Sequence, residues 1–170
     1  MYLMVDIEAD GPIPGDYSMI SLGAIVVEPG LDRTFSSRLR PISEAWVPEA
    51  LAVSGHTRED TLAFAEPRAE MLRFRDWLAT LGKQPIFVSD NNGFDWMFVC
   101  WYFHHFVGKN PLGFSSQNLG SLYKGLMKDV RMTFKHLRKT KHTHDPLDDA
   151  RGNAEAMLQL EGLGLKISWE

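Results

Sequence analysis

Apolar positions along the chain change their period several times, and each change marks an element. Residues 2–7 form an apolar run broken by one carboxylate, the pattern of a buried strand. Turn residues follow in DGPIPGDY, and residues 19–28 (MISLGAIVVE) read as a second strand. Residues 34–39 predict a third, giving an opening antiparallel meander. A short helix is expected from Pro48, with proline in its first turn and Gly55 as its stop. Over 66–81, Met71, Phe74, Leu78 and Leu81 recur at a helical period. Residues 82–85 end that helix, and 86–89 read as a short buried strand. After the turn DNNG, residues 94–106 predict a helix that is apolar on most sides and so largely buried. Two more helices are expected over 118–127 and 148–160, separated by a polar stretch of roughly 20 residues, long enough to carry function. Strands first, then alternating helices and strands, predict an α/β fold with a mixed β-sheet flanked by helices.

Length and composition narrow the class. The 170 residues are expected to form one domain, 1–170, with 44% apolar and 24% charged residues. Cys100, the single cysteine, lies in the apolar run WMFVCWYFHHF and reads as a small buried side chain, which suits a reducing compartment. The N-terminus has no basic region and its apolar stretch breaks at Asp6, so no signal peptide is expected. No apolar run approaches the roughly 20 residues of a membrane span. The expected location is the cytoplasm, with no membrane partner. A formal charge of −4 argues against coating nucleic acid by charge alone. Basic residues nevertheless gather just before His144, where Lys139 and Lys141 are candidates for phosphate contact as well as for a solvated loop.

The chemistry concentrates at two ends of the chain. Asp6 and Glu8, two apart on a strand, share one face. Two charges in an apolar strand are costly unless a cation sits between them. Asp95 follows a turn at a helix start, where the helix dipole alone also favours an acid. His144 precedes Asp149 by five residues, with Asp148 the natural helix N-cap of its pair. Oxygen-only ligands suit Mg²⁺ or Mn²⁺. Two such ions about 3.5–4 Å apart suit in-line displacement at phosphorus. A histidine of ordinary pKa near 6.5 can take a water's proton.

Taken together, Asp6-x-Glu8, Asp95 four residues after Asn91, and His144-x₄-Asp149 resemble the three exonuclease motifs of the DEDDh superfamily, the group of DnaQ-like exonucleases, RNase T and oligoribonuclease. SLGAIVV and ALAVSGHTRED are also similar, so the resemblance spans nearly the whole chain. It implies an RNase H-like fold and a 3′→5′ exonuclease that releases nucleoside 5′-monophosphates from single-stranded 3′ ends. It implies that Asp6, Glu8 and Asp149 hold one of two divalent ions. Asp6 would bridge to the second, Asp95 would support that second ion, and His144 would be the base. Backbone around residues 8–10 would meet the terminal 3′-hydroxyl. Ala9 and Asp10 depart there from the family's small hydroxyl residues, and Asp10 reads either as a charge that repels the phosphodiester or as a surface turn residue. Phe94 is the best candidate for a base-stacking wedge, ahead of Trp96 and Trp101. The small single-domain form tilts the expected substrate toward RNA, and RNase T-like relatives leave a homodimer open. Three rivals are weaker. His142 and His144 as an H-x-H metal pair of an amidohydrolase lack the long barrel that should follow. A binding-only module should have lost one of the five residues. A polymerase proofreading subunit should carry a further segment to grip its partner.

Overall fold

The computed structural model describes residues 1–167. Its five-stranded sheet has the order β3-β2-β1-β4-β5, with β1 (Tyr2–Ala9) at the centre. β2 (Met19–Val27) and β3 (Thr34–Arg38) add antiparallel on one side, the expected meander. β4 (Ile86–Ser89) and β5 (Ser116–Asn118) add parallel on the other, which makes the sheet mixed. Because strand side chains alternate, β1 feeds two cores. Leu3, Val5 and Ile7 pack with Met71, Phe74 and Leu78 of α3 (Pro67–Thr80) and with Phe98 and Tyr102 of α4 (Asn92–Tyr102). Met4 packs on the opposite face with Ile25, Val27 and α6 (Pro146–Gly162). Short helices α1 (Pro48–Val53) and α2 (Arg58–Leu62) lie between β3 and α3, and α5 (Leu119–Met127) follows β5. Among the described residues no helix is long and apolar enough to cross a membrane.

Several local expectations change. The helix expected over 94–106 begins two residues earlier, at Asn92, and its end (Phe103–Val107) is a π-helical turn closed by Gly108 at φ 81°. β5 was not expected, since Ser116, Gln117 and Asn118 carry no apolar pattern; its register is set by backbone pairing to Phe87–Ser89. Asn92 reinforces that pairing, donating to the Gln117 carbonyl at 3.0 Å and accepting from Ser116 Oγ at 2.8 Å. The N-cap of α6 is Asp145 rather than Asp148: its Oδ1 accepts from Leu147 N at 3.0 Å and Asp148 N at 3.3 Å, with Pro146 in the first turn. Asp149 is thereby free for other work. Cys100 is half-buried rather than buried.

Candidate active site

The sheet register places the first two acids. Asp6 pairs with Gly23 and Glu8 with Ser21, and a Cβ at Gly23 would overlap the backbone of Pro146 and Leu147. The start of α6 therefore rests directly on β2, beside the two carboxylates. One turn into that helix, Asp149 is 1% exposed, and Asp6, Glu8 and Asp149 each offer an oxygen within 4.8 Å of the others. Asp95 enters from the start of α4, 2% exposed, and its Oδ2 is buried without a hydrogen-bond partner among the described residues.

Electrostatics follow from this crowding. Burial, then the charges of Asp95, Asp149 and Glu8, push Asp6 well above the usual carboxylate range, with Arg138 opposing. Burial and the neighbouring Asp149 and Asp95 raise Glu8 to about 7. Burial likewise raises Asp95 to about 7, against hydrogen bonding from Ser89 and the Ile7 backbone. Asp149 is differently placed. Its Oδ1 accepts from Arg138 Nη2 at 2.9 Å and Thr143 N at 3.1 Å; its Oδ2 accepts from His144 N at 3.0 Å and lies 2.8 Å from His142 Nδ1. A buried carboxyl oxygen without a partner, next to two carboxylates driven toward the neutral form, is a donor set that a hard divalent cation satisfies. The residues fit such an ion.

His144 stands at the rim. Its backbone is left-handed (φ 62°), its side chain is 45% exposed, and Nδ1 lies 3.6 Å from Glu8 Oε1. The imidazole is thus near the acids and still open to water. Beside it a cavity of about 610 Å³ is lined by Ser21, Ser36, Arg38, His56 and Arg73 among others.

The structure brings all five predicted catalytic residues together around the C-terminal half of β1, and it separates the predicted substrate contacts. Asp10 is neither a surface turn residue nor a free charge: it has no exposed surface and is bound to Arg58 Nη1 at 2.8 Å. The expectation failed because the partner lies 48 residues away and no local pattern announces it. Ala9, at the end of β1, is buried. Phe94 is half-buried, with its ring tilted on Phe98 at 4.9 Å, while Trp96 packs edge-on against Phe87 and Trp101 stacks on His105 at 4.4 Å. Lys139 and Lys141 are exposed in the loop before His142. That loop is tied down by Glu155, which accepts from Lys139 N and Thr140 N at 2.8 and 2.7 Å. In the sequence Arg138 belongs only to a basic cluster, and His142 to that cluster and to an H-x-H pair with His144; their contact with Asp149 needed the fold.

Comparison with known proteins agrees with this geometry. The sequence profile of the RNase T exonuclease family matches residues 3–157. The 3′-5′ DNA exonuclease Cap18 of Escherichia coli is 35% identical over 178 residues, covering 98% of this chain and 94% of that protein. E. coli exonuclease I, solved with a dT13 oligonucleotide, superimposes with a TM-score of 0.74 at 17% identity; 94% of this chain is covered, and the chain spans 40% of that one. A 3′-exonuclease solved in recognition of the histone mRNA stem-loop gives a TM-score of 0.76 at 14% identity, with 97% and 65% covered.

Proposed function

The chain belongs to the RNase T family of exonucleases, and from that premise we propose that it removes nucleoside 5′-monophosphates one at a time from single-stranded 3′ ends, using two divalent ions, Mg²⁺ or Mn²⁺, held by Asp6, Glu8, Asp95 and Asp149. That it is a 3′→5′ exonuclease acting on nucleic acid follows from the family. The observation that carries the finer reading is the meeting of four carboxylates from three distant segments beside one solvent-accessible imidazole.

Ions bound there would polarise the phosphoryl oxygens and lower the pKa of a water. The chain's own residues do the rest. Asp6 and Glu8 are fixed by their pairing to Gly23 and Ser21 of β2, so their spacing is rigid. Arg138 and the Thr143 N–H hold Asp149 by Oδ1, and the His144 N–H fixes Oδ2, so the carboxylate is oriented from both oxygens. His144, open to solvent and 3.6 Å from Glu8, accepts the proton of the attacking water. Lys139 and Lys141 contact strand phosphates from the exposed loop, and Phe94 stacks on a base. Ala9 and Asp10 act through their backbone, since the Asp10 side chain is committed to Arg58 and Ser18.

The resemblance to RNase T and oligoribonuclease favours RNA, whereas the 35% identical relative is named a DNA exonuclease. The relative carries more weight because it covers nearly the whole chain, so we take single-stranded DNA as the first substrate. The cytoplasm is the proposed place of work, supported by the lone thiol of Cys100. The test is a panel of 5′-labelled single- and double-stranded DNA and RNA with Mg²⁺ or Mn²⁺. Stepwise shortening of single strands is expected, with a loss of roughly 10²–10⁴-fold in His144→Ala and no measurable activity in Asp6→Asn. Full activity in either variant sinks the mechanism.

A further inference from the structure

His142 borders the acidic centre, and the catalytic reading leaves it unused. Its Nδ1 lies 2.8 Å from Asp149 Oδ2, its ring meets that of His144 edge-on with centroids 4.2 Å apart, and its side chain is 56% exposed. One donor atom from each of His142, His144 and Asp149 lies within 4.8 Å of the other two. Arg138 and the Thr143 N–H occupy Oδ1 of Asp149, while Oδ2 faces the His142 imidazole and accepts from the His144 backbone N–H. Two nitrogens and one carboxylate are a different donor set from the oxygen-only cluster of Asp6, Glu8 and Asp149. Imidazole nitrogen favours Zn²⁺ and its later transition-metal neighbours, whereas Mg²⁺ keeps oxygen ligands and water.

We propose that His142, His144 and Asp149 form a second, zinc-selective metal site whose occupation shuts off the exonuclease. Ligand atoms on a tetrahedral Zn²⁺ with bonds of about 2.0–2.1 Å stand roughly 3.3 Å apart. The two imidazoles are exposed, so the proposal asks only for side-chain rotation to close separations of up to 4.8 Å to that distance. Glu8 Oε1, 3.6 Å from His144 Nδ1, is within reach of the fourth position. Inhibition follows from shared parts, and this half of the proposal rests on the catalytic reading above. An ion on His144 removes the proton acceptor, and Asp149 Oδ2 is withdrawn from the oxygen cluster. Zinc and the working ions then compete although they prefer different ligands.

The test uses the full chain stripped of metal, with ZnCl₂ and MnCl₂ titrated separately in a calorimeter. His142→Ala should weaken Zn²⁺ binding at least about tenfold and Mn²⁺ binding less than about threefold. In the wild-type protein, nitrogen-15 NMR of the imidazoles should show both His142 and His144 shifting on zinc addition, a readout that needs no variant to fold. Hydrolysis of the p-nitrophenyl ester of thymidine 5′-monophosphate in Mn²⁺ is followed in parallel. Micromolar Zn²⁺ should inhibit it, and His142→Ala should raise the inhibitory concentration at least about tenfold. Equal zinc affinity in wild type and His142→Ala, or a zinc-silent His142 ring, overturns the proposal. If the ester is cleaved while zinc ignores His142, the site fails and the catalytic reading stands. Zinc bound through His142 in a chain that cleaves nothing supports the site and sinks the catalytic reading.

Discussion

At Asp10 a carboxylate with no exposed surface is held by Arg58 at 2.8 Å and by the Ser18 N–H at 2.5 Å. Burial still pushes its pKa up against Ser18 and Arg58, so these partners do not fully offset the cost of burying the charge. Removing one partner is another matter. Asp10→Ala leaves Arg58, whose side chain is only 19% exposed, without its counter-charge. A loss of about 2–4 kcal/mol is expected in urea unfolding, and the double variant Asp10→Ala/Arg58→Met should recover at least about 1 kcal/mol of it. A single variant within about 0.5 kcal/mol of wild type would show that the pair contributes nothing. Residues of the acidic centre were legible in the sequence because their signals are local: a strand period for Asp6 and Glu8, a helix start for Asp95, a five-residue step from His144 to Asp149. Asp10, Arg138 and His142 were not, because their meaning lies in a contact made only after folding.

At the scale of elements, the centre depends on how closely α6 approaches the sheet. Gly23 is opposite Asp6, and a Cβ there would overlap the Pro146–Leu147 backbone, which has no flexible end to yield. Gly23→Ala should lift the start of α6 away from β2, taking Asp149 and His144 with it. The expected result is a loss of about 2 kcal/mol or more in unfolding together with a fall in kcat well beyond what stability explains, read at a temperature where the variant is fully folded. Unchanged kcat would mean that α6 is positioned from elsewhere. Gly152 has a matching place, since a Cβ on it would meet the Arg138 guanidinium and the Thr140 carbonyl. Apolar period located β1, β2, β3, α3 and α6 because each has a buried face. It missed β5, whose three residues are placed by backbone pairing to β4, and the π-helical end of α4, whose run is apolar on most sides and so marks no register. The α6 cap went to Asp145 because Pro146 needs no N–H partner and makes a natural first helical residue.

The whole molecule carries its acids as stored repulsion, and pH and metal should release it in opposite ways. Glu8 is raised from 4.5 to about 7 and Asp95 from 3.8 to about 7, chiefly by burial, and Asp6 is raised further by its neighbours. In the unfolded chain Glu8 and Asp95 lose their protons near pH 4; in the metal-free folded chain they hold them to about 7. The folded state binds more protons across that window, so metal-free stability falls as pH rises from about 4 to about 7. For Glu8 alone the shift corresponds to roughly 3 kcal/mol at most. A divalent cation binds the deprotonated form and reverses the slope. Thermal unfolding should therefore show Mn²⁺ raising Tm by only a degree or two near pH 5, where protons compete, and by about 5–10 °C near pH 8 at about a hundred times Kd. Glu8→Gln separates the two effects. It should raise the metal-free Tm near pH 8, because a repelling charge is gone, and it should sharply reduce the Mn²⁺ response. A metal response equal at both pH values would mean that the carboxylates are already ionised in the folded protein. Loss of the Mn²⁺ response in Glu8→Gln without a gain in metal-free Tm would mean that Glu8 binds metal without having been strained.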